Sequence, residues 1–257
     1  MVRLEKLILI FSAWLTACNT PPTLAIPPTP QPVTVSLLPS LRPVSEAVIA
    51  CGDSTPGIVI FIREVPAAGM DFHAPGLKLW LGDKPLESGF AAPLVEEEIA
   101  VIVNPENPLE SIRVADLRKI FSGQLGNWEE IAGIDSQTAV WVYPEGNEIQ
   151  KAFTENLLES QAISSLAYLA PGTEAMLEAV AMDPAAIGFI PKAWRTEAVK
   201  ILSLSDTEGS EPGDASNLLP VLVLANREPK GPERAFVACL QSRPSLDLLL
   251  ELYSPWK

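Results

Sequence analysis

The stretch that decides the fold is Ala100-Val101-Ile102-Val103-Asn104-Pro105, followed by Leu117-Arg118-Lys119-Ile120-Phe121-Ser122-Gly123 and then by Asn127-Trp128. The Val- and Ile-rich run, closed by a proline, predicts a buried strand over residues 98–104. Residues 114–121 have the pattern of an amphipathic helix, and the glycine after them is a natural helix end. A strand that is apolar throughout, followed by such a helix, indicates an α/β sheet covered on both faces.

The same alternation of strands and helices continues on both sides of this stretch. Short apolar runs predict further strands at 33–38, 57–64 (expected to be buried), 77–81, 139–143, 186–190 and 219–225. Helices are predicted at 41–50 (with Ser40 as N-cap), 146–158, 160–169, 174–181 and within 231–253. The acidic, Gly- and Ser-containing segment 205–217 predicts a loop or a return crossover.

The opening stretch resembles the phosphate-binding-protein-like branch of the type 2 periplasmic-binding-protein superfamily. That branch typically shows an apolar strand, Asn-Pro, a short helix ending Ile-Phe-Ser-Gly, and then Asn-Trp. Residues 185–191, 220–224 and 231–236 resemble its later strands and closing helix. The resemblance implies an α/β fold of two lobes with hinge strands between them and a solute held in the cleft. By position, 33–104 plus 217–257 would form lobe 1, and 105–216 would form lobe 2.

The N-terminal segment has the features of an export signal. Arg3 and Lys6 flank a short apolar run that ends at Leu15-Thr16-Ala17-Cys18, which resembles a bacterial lipobox. Residues 1–17 are therefore predicted to be a signal peptide, with Cys18 as the lipidated first residue of the mature chain. The proline-rich segment 18–32 predicts an extended tether. We expect a protein attached by lipid in the cell envelope, in the periplasm or on the outer face of the cytoplasmic membrane.

Charge and composition exclude several classes of function. The formal net charge is −14, and nucleic-acid binding needs a basic face that releases counterions from phosphates. No uninterrupted apolar run after the N-terminal segment is long enough to span a membrane. The sequence therefore predicts no nucleic-acid partner and a membrane contact through the lipid anchor alone.

Catalytic signatures are absent from the sequence. The single histidine, His73, lies in a Gly- and Pro-containing stretch that predicts a turn, so a His-rich metal site is excluded. The run Glu96-Glu97-Glu98 could suggest a metal, but a charge run before a strand is more typical of a solvated loop. We expect no catalytic residue, no metal and no cofactor.

The resemblance also indicates where a ligand would bind. In this family oxyanions are bound at helix N-termini, whose free N–H groups favour negative charge. The matching third loop here lacks the family's Arg, Ser and Thr and carries two glutamates instead. The candidate ligand-binding residues are Ser40 and Leu41 in the first loop, Gly82 and Asp83 in the second, Glu145, Gly146, Asn147 and Glu148 in the third, and Thr173 at a further helix start.

Two interpretations of the third loop remain open at this stage. Asn147 can simply cap its helix, with Glu148 favoured in the first turn by the helix dipole. Alternatively, Glu145, Asn147 and Glu148 can face a cationic or polyhydroxyl ligand. The same two interpretations apply to Thr173 and Glu174 at a further helix start. Two interpretations also remain open for Cys51 and Cys239. An exported protein can join them in a disulfide, or it can bury them as two independent thiols.

The function expected from these features is solute capture without chemistry. A monomeric lipoprotein would close its lobes on a small polar solute or oxyanion and deliver it to the permease of an ABC importer. The alternative is an interaction or sensor lipoprotein of the same fold that has lost ligand binding, and the altered third loop favours that alternative.

Overall fold

The computed structural model describes residues 29–87, 89–205 and 217–256. The predicted signal peptide, Cys18 and the tether up to residue 28 lie outside these ranges, as does most of the predicted loop at 205–217. Within the described ranges, no helix combines the length and the apolar character that crossing a membrane requires.

The described residues form short helices and strands in alternation. The α-helices are α1 (Ser45–Ser54), α2 (Val114–Phe121), α3 (Glu129–Ala132), α4 (Glu148–Asn156), α5 (Thr173–Met182), α6 (Pro232–Leu240) and α7 (Arg243–Leu249). The strands are β1 (Gln31–Leu37), β2 (Ile58–Glu64), β3 (Leu77–Leu81), β4 (Phe90–Val103), β5 (Ser111–Arg113), β6 (Ala139–Val142), β7 (Tyr168–Leu169), β8 (Ala186–Pro191), β9 (Lys200–Ile201), β10 (Ser203–Ser205), β11 (Leu218–Ala225) and β12 (Ser254–Pro255).

One long strand, β4, joins two groups of strands. The main sheet has the order β2-β1-β3-β11-β4-β8-β6-β7. The first part of β4 pairs with β11 up to Glu98, and its last part pairs with β8 from Ile99 onward. We call β1–β3, α1, β11, α6 and α7 the terminal half, and α2 to β8 the inserted half. The predicted α/β fold of two lobes linked by a hinge strand is confirmed.

The acidic run at 96–98 lies inside β4, so the predicted solvated loop is wrong. Glu97 pairs with Leu219 of β11 and is fully buried. Its Oε1 accepts backbone hydrogen bonds from Glu98 (3.0 Å) and Ala193 (3.2 Å). Burial raises the pKa of this carboxyl to about 8, against the opposing effect of those backbone donors. Pairing with β11, which is distant in the sequence, extends β4 through the charged run.

Asn104 and Trp128, from the stretch that decides the fold, have structural roles next to α5 and β8. Asn104 directly follows β4, and its Nδ2 donates to the carbonyl oxygens of Val180 (3.1 Å) and Ala181 (2.8 Å) near the end of α5. Trp128 is buried, and its indole N–H donates to the Ala185 carbonyl at 2.9 Å. These residues therefore connect β4 and the α2–α3 region to α5 and the loop before β8.

The core of the inserted half is aromatic. Phe189 of β8 stacks on Phe153 with ring centroids 3.7 Å apart, and it also contacts Phe121 and Tyr143. Helix α5 lies close against β8, because a Cβ added to Gly188 would come within 2.5 Å of the Met176 sulfur. A side chain at position 188 would push this helix away from the sheet.

The terminal half carries a disulfide between its helices. Cys51 of α1 and Cys239 of α6 are bonded, with their Cα atoms 5.7 Å apart. The bonded residues are separated by 188 positions in the sequence. The bond therefore joins two helices that come from opposite ends of the described chain.

Several predicted elements are corrected by the structure. The helix expected at 41–50 starts only at Ser45, because a 3₁₀ turn with Pro43 inside it occupies Pro39–Val44. Ser40 is therefore not a helix cap. The helix expected at 160–169 is absent, since Glu159 and Ser160 have positive φ angles and Tyr168 and Leu169 form β7 beside β6.

The strand at 58–64 is formed as predicted, but it is not buried. Among the described strands, it is the outer one of the main sheet, and its partner is β1. Val59 and Phe61 are 46% and 56% exposed. Apolar runs alone do not distinguish a central strand from an edge strand. Strand β1 also begins earlier than predicted, with Gln31 and Pro32 already paired to β2.

Candidate functional site

The two halves meet where β1 ends and where α4 and α5 begin. The Ser40 hydroxyl, in the turn after β1, donates to Glu148 Oε1 at the first position of α4, at 2.6 Å. Ser40 is 3% exposed, so this contact lies largely out of solvent. A polar side chain of the terminal half is thus hydrogen-bonded to a carboxylate of the inserted half.

A second contact between the halves is made by Arg42. Its guanidinium is hydrogen-bonded to both oxygens of Glu64 at the end of β2, at 2.6 and 2.9 Å. It also donates to Glu174 in the first turn of α5. Arg42 therefore binds one carboxylate from each half.

Trp194, in the turn that follows β8, also contacts the terminal half. Its indole N–H donates to the Ser40 carbonyl at 2.7 Å, and the Arg42 guanidinium lies 5.2 Å from its ring centroid. This distance suits a cation–π interaction. We call the connected group of Ser40, Arg42, Glu64, Glu148, Glu174 and Trp194 the clasp.

The clasp is acidic overall. One guanidinium faces three carboxylates, so the ionised group has two negative charges in excess. The hydrogen bonds to Arg42 hold the pKa of Glu64 below its usual range, and the same bonds raise the pKa of Arg42. Two like unit charges 5 Å apart repel by about 3 kcal/mol at an effective dielectric constant near 20. A free anion entering here would meet that repulsion.

A buried phenol lies beside the clasp. Tyr143, the residue after β6, is 2% exposed, and its hydroxyl lies next to the Thr173 side chain. Burial raises the pKa of Tyr143, and the negative charge of Glu148 adds to the shift. Thr173 itself is 9% exposed and is the first residue of α5. The Tyr143 hydroxyl is available for a further hydrogen bond.

Asn147 has the capping role that one of its two interpretations gave it. Its side-chain oxygen accepts from the backbone N–H groups of Ile149 (2.9 Å) and Gln150 (3.1 Å), so Asn147 caps α4. Gly146, before it, has φ +84°, a conformation that glycine adopts without strain. Glu145 is exposed. Of the four residues predicted in this loop, Glu148 is the one hydrogen-bonded across the halves.

The other predicted site residues lie apart from the clasp contacts. The Leu41 side chain is fully buried in the hydrophobic core. Gly82 follows β3 and its N–H donates to the Pro220 carbonyl, while the Asp83 carbonyl accepts from the Trp80 indole. These hydrogen bonds stabilise the end of β3.

Sequence reasoning missed three members of the clasp: Arg42, Glu64 and Trp194. The only local signal was the position of Arg42, two residues after the predicted site residue Ser40. Glu64 and Trp194 are 22 and 152 positions away from Arg42, and only the folded chain brings them together.

Among the described residues, no group of three or more His, Cys, Asp or Glu side chains could hold a metal ion. The glutamates of the clasp are instead hydrogen-bonded to a hydroxyl and a guanidinium.

Comparison with known proteins identifies relatives of this chain. The chain is 24% identical over 147 residues to the phosphate-binding protein PstS of Bacillus subtilis, a match that covers 55% of this chain and 49% of that protein. The chain thus matches about half the length of this curated relative.

Solved structures share the fold over most of the chain. A proposed phosphate ABC transporter substrate-binding protein from Clostridium perfringens, solved with bound phosphate, superposes with a TM-score of 0.77 at 19% identity. That match covers 88% of this chain and 100% of the other. An ABC-type phosphate transport receptor from Vibrio cholerae gives 0.69 at 19% identity, over 86% and 99% of the two chains.

A family model provides the assignment. The model described as a PBP superfamily domain matches residues 87–232, which is more than half of the chain. The matched range contains the hinge strand β4, the whole inserted half and β11. This chain belongs to the periplasmic-binding-protein (PBP) superfamily.

Proposed function

We propose that this protein is an exported, lipid-anchored solute-binding protein that delivers a small polar solute or oxyanion to an ABC importer. Membership of the PBP superfamily supports a binding role without chemistry. The relatives named for phosphate binding or phosphate transport support a partnership with an importer permease. The predicted lipobox at Cys18 supports the anchor.

The observation that carries this proposal is the contact between the halves at the clasp. The Ser40–Glu148 and Arg42–Glu174 contacts join two units that the hinge strand β4 also connects. Closure of such units around a small molecule is a hinge motion about a few residues. Ligands of open α/β sheets lie beyond the carboxyl ends of the strands, where this contact is formed.

A thermal-shift screen tests solute binding directly. We expect one member of a panel of phosphate, sulfate, molybdate, amino acids and sugars to raise the melting temperature of the purified chain. A solute present at 100 times its Kd stabilises by about 2.7 kcal/mol, which is roughly 5 °C for a protein of this size. The variant Arg42→Ala should change the shift, because Arg42 is a donor to an oxyanion and a competitor of a solute that itself donates to Glu174. Glu155→Gln, on the exposed surface of α4, should leave it unchanged.

A second experiment tests the anchor. We expect the wild-type chain, produced in a bacterial host, to incorporate labelled fatty acid and to sediment with membranes. The Cys18→Ser variant should lose the label and should no longer be processed as a lipoprotein. A wild-type chain without label would remove the anchor from the proposal and leave solute binding untouched.

One observation favours the alternative, an interaction or sensor lipoprotein without a solute. Glu148 already accepts the Ser40 hydroxyl, which removes a donor that a solute would use. If no solute in the screen raises the melting temperature, the importer role fails and the alternative stands. A partner protein would then be sought by crosslinking in intact cells.

A further inference from the structure

The clasp joins donor groups of the terminal half to carboxylates of the inserted half. The Ser40 hydroxyl is 2.6 Å from Glu148 Oε1, and Arg42 binds Glu174. Both acceptors lie in the first turn of a helix, α4 or α5. Negative charge is favoured at that position, because the first N–H groups of a helix have no acceptor within it. The chain thus supplies its own anions at both helix starts.

A free oxyanion would need the same donors. To reach Ser40 or Arg42 it would have to displace Glu148 or Glu174 while both carboxylates stay nearby. The attraction that Arg42 can offer is already shared with Glu64, at 2.6 and 2.9 Å. The buried Tyr143 hydroxyl lies beside the Thr173 side chain, and the charge of Glu148 acts on it. The site therefore has acceptors in excess and few donors left for an anion.

We propose that Glu148 is a built-in anionic ligand that holds the two halves together and excludes free oxyanions from the cleft. This inference rests on the proposed solute-binding role and narrows it. The solute class it assigns is neutral or cationic and rich in hydrogen-bond donors, such as an amine or a polyol. Such a solute would replace Ser40 or Arg42 as the donor to Glu148 or Glu174.

Isothermal titration of the purified full chain separates the ligand classes. The probes are inorganic phosphate and sulfate in one arm and 1,4-diaminobutane and xylitol in the other. We expect the wild-type chain to bind phosphate more weakly than 10 mM. The Glu148→Gln variant keeps a similar shape without the charge, and it should gain at least tenfold in phosphate affinity. Adding Glu174→Gln should increase the gain.

Two matched controls lie on the same helices. Glu155→Gln on α4 and Glu178→Gln on α5 each remove one exposed carboxylate outside the clasp. These variants should bind phosphate as weakly as the wild type does. An equal gain in them would assign the effect to net charge and would overturn the role of Glu148.

An NMR measurement reports on the contact itself. The Trp194 indole N–H donates to the Ser40 carbonyl, so its resonance, assigned with Trp194→Phe, reports whether the clasp is formed. We expect slow hydrogen exchange of this proton in the solute-free wild type and at least tenfold faster exchange in Ser40→Ala and Glu148→Ala. Fast exchange in the wild type would overturn the proposal.

The outcomes distinguish this inference from the proposed function. Tight phosphate binding by the wild type would end the inference while the importer role stood. If neither 1,4-diaminobutane nor xylitol binds the wild type but Glu148→Gln gains phosphate binding, the exclusion of anions by Glu148 holds and the assigned solute class is wrong. If Glu148→Gln gains no anion affinity, the carboxylate does not exclude anions and the inference is wrong.

Discussion

The terminal and inserted halves have similar layers of strands and helices but different means of stabilisation. In the terminal half, a disulfide joins α1 to α6 across 188 positions of sequence. The inserted half has no cysteine and instead packs four aromatic rings, those of Phe121, Tyr143, Phe153 and Phe189. Its segments are contiguous in sequence, so they lose less chain entropy on meeting than the distant ends of the terminal half do. The covalent link lies where chain closure costs more.

The largest expected effect is the loss of the aromatic core. Phe189 is fully buried between Phe121, Phe153 and Tyr143. The Phe189→Ala variant should lose about 3–5 kcal/mol of unfolding free energy, because it leaves a cavity where a ring was packed. Urea unfolding followed by circular dichroism measures this loss. Leu166→Ala, at a side chain that is 83% exposed, should change stability by less than about 0.5 kcal/mol.

Removal of the disulfide tests the terminal half. The double variant Cys51→Ala/Cys239→Ala should be less stable by about 3 kcal/mol, because the unfolded chain regains freedom. Hydrogen exchange should increase first in peptides from α1 and α6. If peptides from α2 and α4 are deprotected equally, the halves unfold as one unit, and the contrast between them is one of local packing only.

The hinge strand between the halves carries a pH-dependent contribution to stability. Glu97 is neutral in the folded chain up to about pH 8, whereas in the unfolded chain it ionises above about pH 4.3. Its contribution is therefore fully present below the unfolded pKa and is lost as the pH rises toward the folded pKa. Between pH 6 and pH 8 the wild type should lose about 2 kcal/mol of stability through this group.

The Glu97→Gln variant is the test of that contribution. An amide keeps the size of the side chain and cannot ionise, so its stability should be nearly flat from pH 6 to pH 8. Chemical denaturation at four pH values measures the difference. In the exposed variant Glu155→Gln, the free energy of unfolding should fall with pH as it does in the wild type. The same pH dependence in Glu97→Gln and in the wild type would contradict the assignment of this effect to Glu97.

The smallest expected effect concerns the clasp. The Arg42 side chain is 41% exposed and that of Glu174 is 69% exposed. Their ion pair should contribute about 0.2–1 kcal/mol, because solvent screens exposed pairs. A double-mutant cycle with Arg42→Ala and Glu174→Gln measures this coupling, with Glu178→Gln in place of Glu174→Gln as the control. A coupling above about 2 kcal/mol would mean that the Arg42–Glu174 pair contributes substantially to holding the two halves together.

Much of the fold was predictable because its signals are local. The bounds of α2 and β3 match the sequence prediction, since periodicity and a terminal glycine suffice to define them. The failures depended on distant partners. Strand β11 extends β4 through Glu97, and β7 forms beside β6 where a helix was expected. Propensity cannot show pairings of this kind.

The candidate site was only partly predictable for the same reason. Ser40 and Glu148 were both named from the sequence as candidate ligand-binding residues, in the first and the third loop. Their hydrogen bond joins residues 108 positions apart, and nothing in either loop indicates it. Asn147 also carried two interpretations until the cap geometry was known.

The sequence by itself determined the α/β class and the family, and it predicted the loops in which a ligand site would lie. Those features follow from hydrophobic periodicity, turn residues and a local motif, which act within a few residues of each other. Only the tertiary structure decided that Glu97 is buried, that Cys51 and Cys239 are bonded, and that Glu148 accepts the Ser40 hydroxyl. Burial, covalent pairing and contacts between the halves depend on groups that approach each other only when the whole chain has folded.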